Sequence, residues 1–214
     1  MALETDSLRR QFKEASFNRE DLRPNALDQF AFWLRQAEEA DLPYAQGMSL
    51  ATAAAAGEVS SRIVLLRYFD ERGFVFFSGL DTKKSAQIGE NPQVALIFPW
   101  LILERQVKIL GTAVRIPKME AVRFFATRAK ESQIGAWLSQ SSGVVSSRAV
   151  LGAKLEELRR KFRDREATVP DLWGGYRVVP KRIEFWQGRA SGLHDRFVYC
   201  KVGESAWEIQ RRAP

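Results

Sequence analysis

The sequence predicts an α+β protein: an antiparallel β-barrel with flanking helices, folded as one domain. Three observations carry this. Short β-rich runs bounded by turn residues recur from Met48 to Ile116 and again after Pro170. These antiparallel-looking strands are interrupted by helices and closed by late strands, which suggests an α+β barrel. Neither a Gly-x-Gly-x-x-Gly turn nor a P-loop appears, so neither common α/β phosphate-binding motif is supported.

The elements follow in order. Residues 1–22 are polar and basic, with Leu8-Arg9-Arg10-Gln11-Phe12 as the local apolar anchor, and read as a flexible N-terminal arm ahead of a single domain spanning 23–214. Pro24-Asn25 opens a helix in which Leu27, Phe30, Phe32-Trp33-Leu34 and Ala37 recur at roughly helical spacing, until Asp41-Leu42-Pro43 stops it. Strands are predicted over Met48–Ala54, Arg62–Phe69, Gly73–Ser78, Gln93–Trp100 and Arg105–Ile116, with Asp70-Glu71-Arg72-Gly73 as a hairpin turn. Thr82 to Ile88 reads as a short helix capped by Asp81 or Thr82. Its N-terminal amides and Lys83-Lys84 suit a phosphate or, equally, a solvated lysine pair. Helices follow over Pro117–Arg128, Ser132–Leu138 and about Ser146–Arg163. In the last, Val150-Leu151, Leu155, Leu158 and Phe162 form an apolar stripe suited to core or dimer packing. Strands return over Trp173–Val179, Arg182–Gln187, Arg196–Val202 and Trp207–Arg211.

Composition narrows the function classes. A chain of 214 residues is long enough to bury one full core. The single cysteine, Cys200, has no partner for an internal disulfide, and no run nears the roughly 18 apolar residues that cross a bilayer. With no apolar run behind the acidic start, these features predict a soluble chain in a reducing cytoplasm. The net charge of +7 invites nucleic acid, but the basic residues are spread and interleaved with acids, as in Arg159 to Glu166. That pattern is a solvated face. One histidine, one cysteine and no carboxylate cluster leave no metal-ligand set. Ser-His-Asp chemistry lacks a Gly-x-Ser-x-Gly elbow.

Chemistry concentrates near the C-terminus, in Phe185-Trp186-Gln187-Gly188 and Leu193-His194-Asp195-Arg196-Phe197. Trp gives a flat face and an N–H, Arg a planar fork, and His a group that titrates near neutrality. A second block, Ser61-Arg62-Ile63-Val64-Leu65-Leu66-Arg67, joins it, with Phe98-Pro99-Trp100, Glu104-Arg105-Gln106-Val107, Ser132 to Trp137 and Trp173-Gly174-Gly175 in between. In this order and spacing the blocks resemble the pyridoxamine 5′-phosphate oxidase family over nearly the whole chain.

The resemblance implies a homodimeric FMN-binding split β-barrel, with two FMN sites at the subunit interface, each built from both chains. It implies oxidation of pyridoxine or pyridoxamine 5′-phosphate to pyridoxal 5′-phosphate, with O2 as acceptor and H2O2 released. On the flavin side, Arg62, Lys83 and Lys84 would hold the FMN phosphate, within a segment that includes Ile63, Val64, Leu65, Leu66 and Arg67. Phe77 and Ser78 would line the cofactor, Gln106 would meet its ring system, and Trp186 and Arg196 would come from the second subunit. The family's Gln-Ser pair falls on Ser141 and Ser142. On the substrate side the resemblance implies Arg9 and Arg10 of the arm, then Arg67, Phe124, Arg128 and Ser132 around the substrate phosphate, and Gly192 and His194 at its ring.

Here the chain departs from the family pattern. A lysine has become Arg67, tyrosines have become Phe12 and Phe124, and the arginine of an Arg-Leu-His triplet has become Gly192. Two readings follow: Arg189 reaches into the vacated space, or the pocket serves another heteroaromatic substrate, such as a phenazine-type precursor. His194 likewise has two readings, as a catalytic residue assisting proton removal or as a structural bond at the barrel rim.

Overall fold

The computed structural model describes residues 7, 12, 17–139, 147–190 and 192–214. Helix α1 (Ala26–Glu39) precedes strands β1 (Gly47–Ala53), β2 (Val59–Leu65), β3 (Tyr68–Asp70) and β4 (Gly73–Gly79). Helix α2 (Lys83–Glu90) leads to β5 (Gln93–Trp100) and β6 (Arg105–Arg115). Helices α3 (Lys118–Ala126), α4 (Lys130–Leu138) and α5 (Arg148–Lys161) form one block before β7 (Trp173–Gln187), β8 (Asp195–Val202) and β9 (Ala206–Arg212).

All described pairings are antiparallel, in the order β2-β1-β5-β6-β7-β4-β3, with β8 beside β7 and β9 beside β8. The two ends of this path, β2 and β3, are separated in sequence only by Leu66 and Arg67. A flat sheet cannot bring its ends together across so short a link, so the sheet curls into a barrel. At the junction the backbone changes partners: Leu66 N–H donates to Gln46 O at 2.9 Å and Arg67 N–H to Val75 O at 2.9 Å. The single strand expected over Arg62–Phe69 is therefore two strands, broken where the chain crosses the barrel opening.

Helix α1 seals the barrel interior. Asn25 caps it, its Oδ1 accepting from Leu27 N–H at 2.8 Å. Its buried residues Leu27, Phe30, Trp33, Leu34 and Ala37 follow the predicted stripe, while Phe32 is only partly buried at the edge of the core. Phe30 is fully buried, with ring centroids 5.0 Å from Phe69, 4.9 Å from Phe74 and 4.9 Å from Phe98. These are edge-to-face contacts, the geometry aromatic quadrupoles favour.

A second core lies on the opposite face of β4 and the first half of β7, under α3, α4 and α5. Val75, Phe125, Ile134, Leu158, Phe162 and Trp173 are buried there. Thus Leu158 and Phe162 of the α5 stripe pack in the core, while Val150 is half exposed. Phe77 sits between Phe124 (4.2 Å) and Trp173 (4.8 Å) in a parallel stack. Helix α3 is tied down by a buried ion network: Arg177 of β7 pairs with Asp70 and with Glu120 at 2.8 Å, and Tyr68 donates its hydroxyl to Glu120 at 2.6 Å. The Tyr68 bond, against a desolvation cost and with Arg177, holds the Glu120 carboxyl below its ordinary range.

The predicted strands over Trp173–Val179 and Arg182–Gln187 form one continuous strand. Against β6 the register runs Leu110↔Arg182 and then Gly111↔Pro180, leaving Lys181 as the extra residue of a bulge. Pro180, which has no N–H to donate, is tolerated at that irregularity. Gly111 is required opposite it, since a Cβ there would stand 2.3 Å from Val179 O. Helix α4 also starts two residues before the predicted Ser132.

Candidate active site

The implied site residues gather into three clusters. The first lies where β2, the end of β4 and the N-terminus of α2 meet. Arg62 points back across β1, donating from Nη1 to Leu50 O at 3.0 Å and Thr52 Oγ1 at 2.8 Å, and from Nη2 to Ser60 Oγ. Lys84 Nζ donates to Ser78 Oγ at 2.9 Å and Thr82 Oγ1 at 3.2 Å. Burial, and then the field of Arg62, push the Lys84 ammonium down from its ordinary value, and burial lowers Arg62. Two partly buried cations bonded to neutral oxygens, the Arg62 charge opposing that of Lys84, form a cationic seat. A phosphate fits it. Lys83 turns away to an ion pair with Glu58 at 2.5 Å on the surface. Ile63 is 67% exposed on the outer sheet face, whereas Val64 packs against the core. The ring of Phe77 is taken up by the aromatic stack.

The second cluster is a cavity of about 520 Å³ lined by Leu65, Leu66, Arg67, Phe124, Arg128 and Ser132, together with Tyr44, Gln46, Thr127 and Ala129. The strand break at Leu66–Arg67 and the turn from α3 into α4 place these side chains on one opening. Arg128 lies over Trp173 at 5.3 Å, and its buried Nη1 has no hydrogen-bond partner among the described residues. Burial first, then the charge of Arg67, lowers its pKa from the usual value. A buried guanidinium N–H without an acceptor is costly, which an incoming anion would relieve. Ser132 and Ala129 add the N-terminal turn of α4, where backbone amides favour negative charge. Phe124 supplies a flat apolar wall, held by its stack on Phe77.

The third cluster lies on the outer sheet face at the far end of β7. Gln106 pairs in register with Trp186, and Trp186 with Arg196. Arg196 is braced by Glu184 at 3.1 Å and by Ala213 O at 2.7 Å, and Lys108 joins Glu184 at 3.2 Å. His194 packs on Trp186 at 4.8 Å, and its Nδ1 accepts the Arg189 backbone N–H at 3.1 Å. That bond assigns the neutral ring's proton to Nε2, leaving a donor to face outward. None of these residues lines the cavity of the same chain.

Arg189 extends to Asp195, Nε to Oδ2 at 2.6 Å, and Arg211 holds the other oxygen of that carboxylate. Gly192 has φ +74°, and a Cβ there would meet nothing within 4 Å. Gly192→Arg is therefore expected to fold but to lose about 1 kcal/mol in a urea titration, the cost of a left-handed non-glycine residue. An unchanged midpoint would refute the strain.

Arg9, Arg10, Ser141 and Ser142 lie outside the described residues. The sequence reading missed Tyr44, Gln46, Thr127 and Glu184. Strand alternation offered a signal for Glu184, two residues from Trp186 on the same face; for Tyr44, in the loop after Pro43, only its aromatic character did.

The fold and clusters define an antiparallel split-barrel protein with two cationic clusters, each chemically suited to an anion. Residues 34–162 match the family model described as pyridoxamine 5′-phosphate oxidase, and residues 173–214 that described as the pyridoxine 5′-phosphate oxidase C-terminal dimerisation region. The chain belongs to the pyridoxamine 5′-phosphate oxidase family. It is 50% identical to a pyridoxine/pyridoxamine 5′-phosphate oxidase of Crocosphaera subtropica over 99% of this chain and 100% of that one. It is 48% identical to one from Vesicomyosocius okutanii over the full length of both. Among solved structures, PhzG from Burkholderia lata, in complex with tetrahydrophenazine-1-carboxylic acid, superposes with TM-score 0.87 at 25% identity, over 94% of this chain and 98% of that one. An FMN-binding protein from Nostoc punctiforme shares the fold with TM-score 0.71 at 15% identity, over 90% and 98%.

Proposed function

We propose that the protein oxidises pyridoxine or pyridoxamine 5′-phosphate to pyridoxal 5′-phosphate as an FMN-dependent homodimer. The observation that carries this reading is the cavity holding Arg67, Arg128 and Ser132, with a buried guanidinium N–H awaiting an acceptor. It suits the phosphate monoester of a small ring compound. Identity near one half with pyridoxine/pyridoxamine phosphate oxidases, against one quarter with PhzG, favours this substrate over a phenazine precursor.

Arg62 and Lys84, with the Ser78 and Thr82 hydroxyls, would hold the FMN phosphate. When bound, FMN supplies a two-electron acceptor that dioxygen reoxidises with release of hydrogen peroxide. Arg67, Arg128, Ser132 and the start of α4 grip the substrate phosphate and so orient its C4′ carbon. Trp186, His194 and Arg196 are absent from their own chain's cavity, and a second copy brings them to it. His194 then presents its Nε2 proton to the polar edge of the substrate ring; it holds a proton there instead of taking one through Nδ1. Trp186 and Gln106 exclude water at the ring.

The test is anaerobic mixing of FMN-loaded protein with pyridoxine 5′-phosphate, followed at the flavin absorption band. Bleaching, formation of pyridoxal 5′-phosphate and recovery of colour in air are expected. A flavin that binds but stays oxidised would overturn the substrate assignment.

A further inference from the structure

Tyr44 stands in the loop between α1 and β1, 81% exposed and with φ +56°. A bulky residue in the left-handed region is an outlier, and such outliers concentrate at functional sites. Among the described residues three non-glycine positions share this conformation, and the other two end helical segments: Asp41 follows α1, and Glu104 caps the 3-10 turn Leu101–Leu103. Tyr44 closes no helix. Its carbonyl accepts Gly47 N–H at 2.6 Å, and a Cβ on residue 47 would crowd that oxygen at 2.9 Å. The neighbouring Gln46 is anchored on both sides, its carbonyl to Leu66 N–H at 2.9 Å and its side chain to Glu38 at 2.5 Å. The loop is thus fixed against the strand break that carries Arg67, and Tyr44 lies on the rim of the same cavity.

The cavity's donors are distributed unevenly. Arg67, Arg128 and Ser132 line it as donors, whereas Phe124, held by its stack on Phe77, contributes wall and no donor. A phosphate monoester has acceptor sites beyond those donors. We propose that Tyr44 is a specificity-determining residue: its ring closes the mouth of the cavity, and its phenolic O–H donates to the phosphate of the bound substrate. This rests on the phosphate-monoester reading above. A lone exposed aromatic is ordinary; one held left-handed by an anchored loop at the mouth of a dicationic cavity is positioned.

The experiment compares FMN-loaded wild type, Tyr44→Phe and Tyr44→Asn. The first variant removes only the hydroxyl. The second keeps a residue that tolerates left-handed backbone but lacks the ring. Tyr44→Phe is expected to raise KM for pyridoxine 5′-phosphate about tenfold, the effect of one hydrogen bond to a charged group. Its kcat should stay within about twofold, because the bond lies away from the reacting carbon. Its calorimetric affinity for inorganic phosphate should fall by a similar factor. Tyr44→Asn should match or exceed both losses. If Tyr44→Phe equals wild type in KM and phosphate affinity, the hydroxyl assignment is overturned, and it is overturned equally if only Tyr44→Asn is impaired. A wild type inert toward pyridoxine 5′-phosphate would instead sink the substrate reading, and the phosphate titration would still decide the role of Tyr44.

Discussion

Arg128→Ala is expected to lower kcat/KM for pyridoxine 5′-phosphate by about 100-fold, from losing charge-assisted bonds of about 1.5–3 kcal/mol each. The loss should fall mainly on KM, because in the proposed role the guanidinium would grip a part of the substrate that does not react. FMN content should not change, since Arg62 and Lys84 form a separate cluster at the head of α2. Arg128→Lys should recover only part of the loss: it restores a charge but not the planar fork lying over Trp173. Steady-state kinetics on protein of measured flavin content decides the matter. A loss below about threefold would mean that the unpartnered Nη1 is a packing accident, and the phosphate seat would have to be sought elsewhere.

Phe30→Ala is expected to cost about 3–5 kcal/mol of folding stability. Its ring is fully buried at the point where α1 meets the barrel interior, against Phe69, Phe74 and Phe98. Those rings come from three different strands, so no single neighbour can relax into the space. For a domain of this size the melting temperature should fall by roughly 10 °C. Thermal denaturation at saturating FMN measures it. A fall of only a degree or two would show that α1 is a dispensable cover.

How far the sequence carried the structure depended on what each feature needed. Helix α1 was legible in detail because Asn25 caps it locally and its stripe repeats at helical period. The break at Leu66–Arg67 was not, because the run from Arg62 to Phe69 is uniformly strand-forming. Only the closure of the barrel makes the backbone there change partners. The bulge at Lys181 was hidden for a related reason, as it answers the phase of β6, far away in sequence. At the site, resemblance brought out Arg67, Phe124, Arg128 and Ser132, which the fold does gather on one opening. Tyr44 escaped because neither a backbone angle nor a position on a cavity rim leaves a periodic trace. The separation of the His194 cluster from the cavity was implicit in the two-chain site that the resemblance implies, and unreadable from spacing.

The bulge in β7 also acts as a gear change. Before it, the even-numbered Tyr176 and Val178 face the barrel interior; after it, the odd-numbered Ile183 and Phe185 do. Across the same span β6 keeps its own beat, with Val107, Ile109 and Ala113 all inward. One residue of slack thus lets a single strand serve two masters: its first half clamps α3 through Arg177, and its second half displays Glu184 and Trp186 outward. A regular strand of the same length, with Lys181 kept in step, would turn the second half over and carry Trp186 inward and Phe185 out; deleting Lys181 would instead make Gly111↔Pro180 and Leu110↔Arg182 consecutive pairs and leave Ile183 and Phe185 inward. The bulge is therefore the one point where the strand can lose a residue without changing which side chains face the core, whereas a one-residue insertion or deletion elsewhere along it would turn over everything beyond.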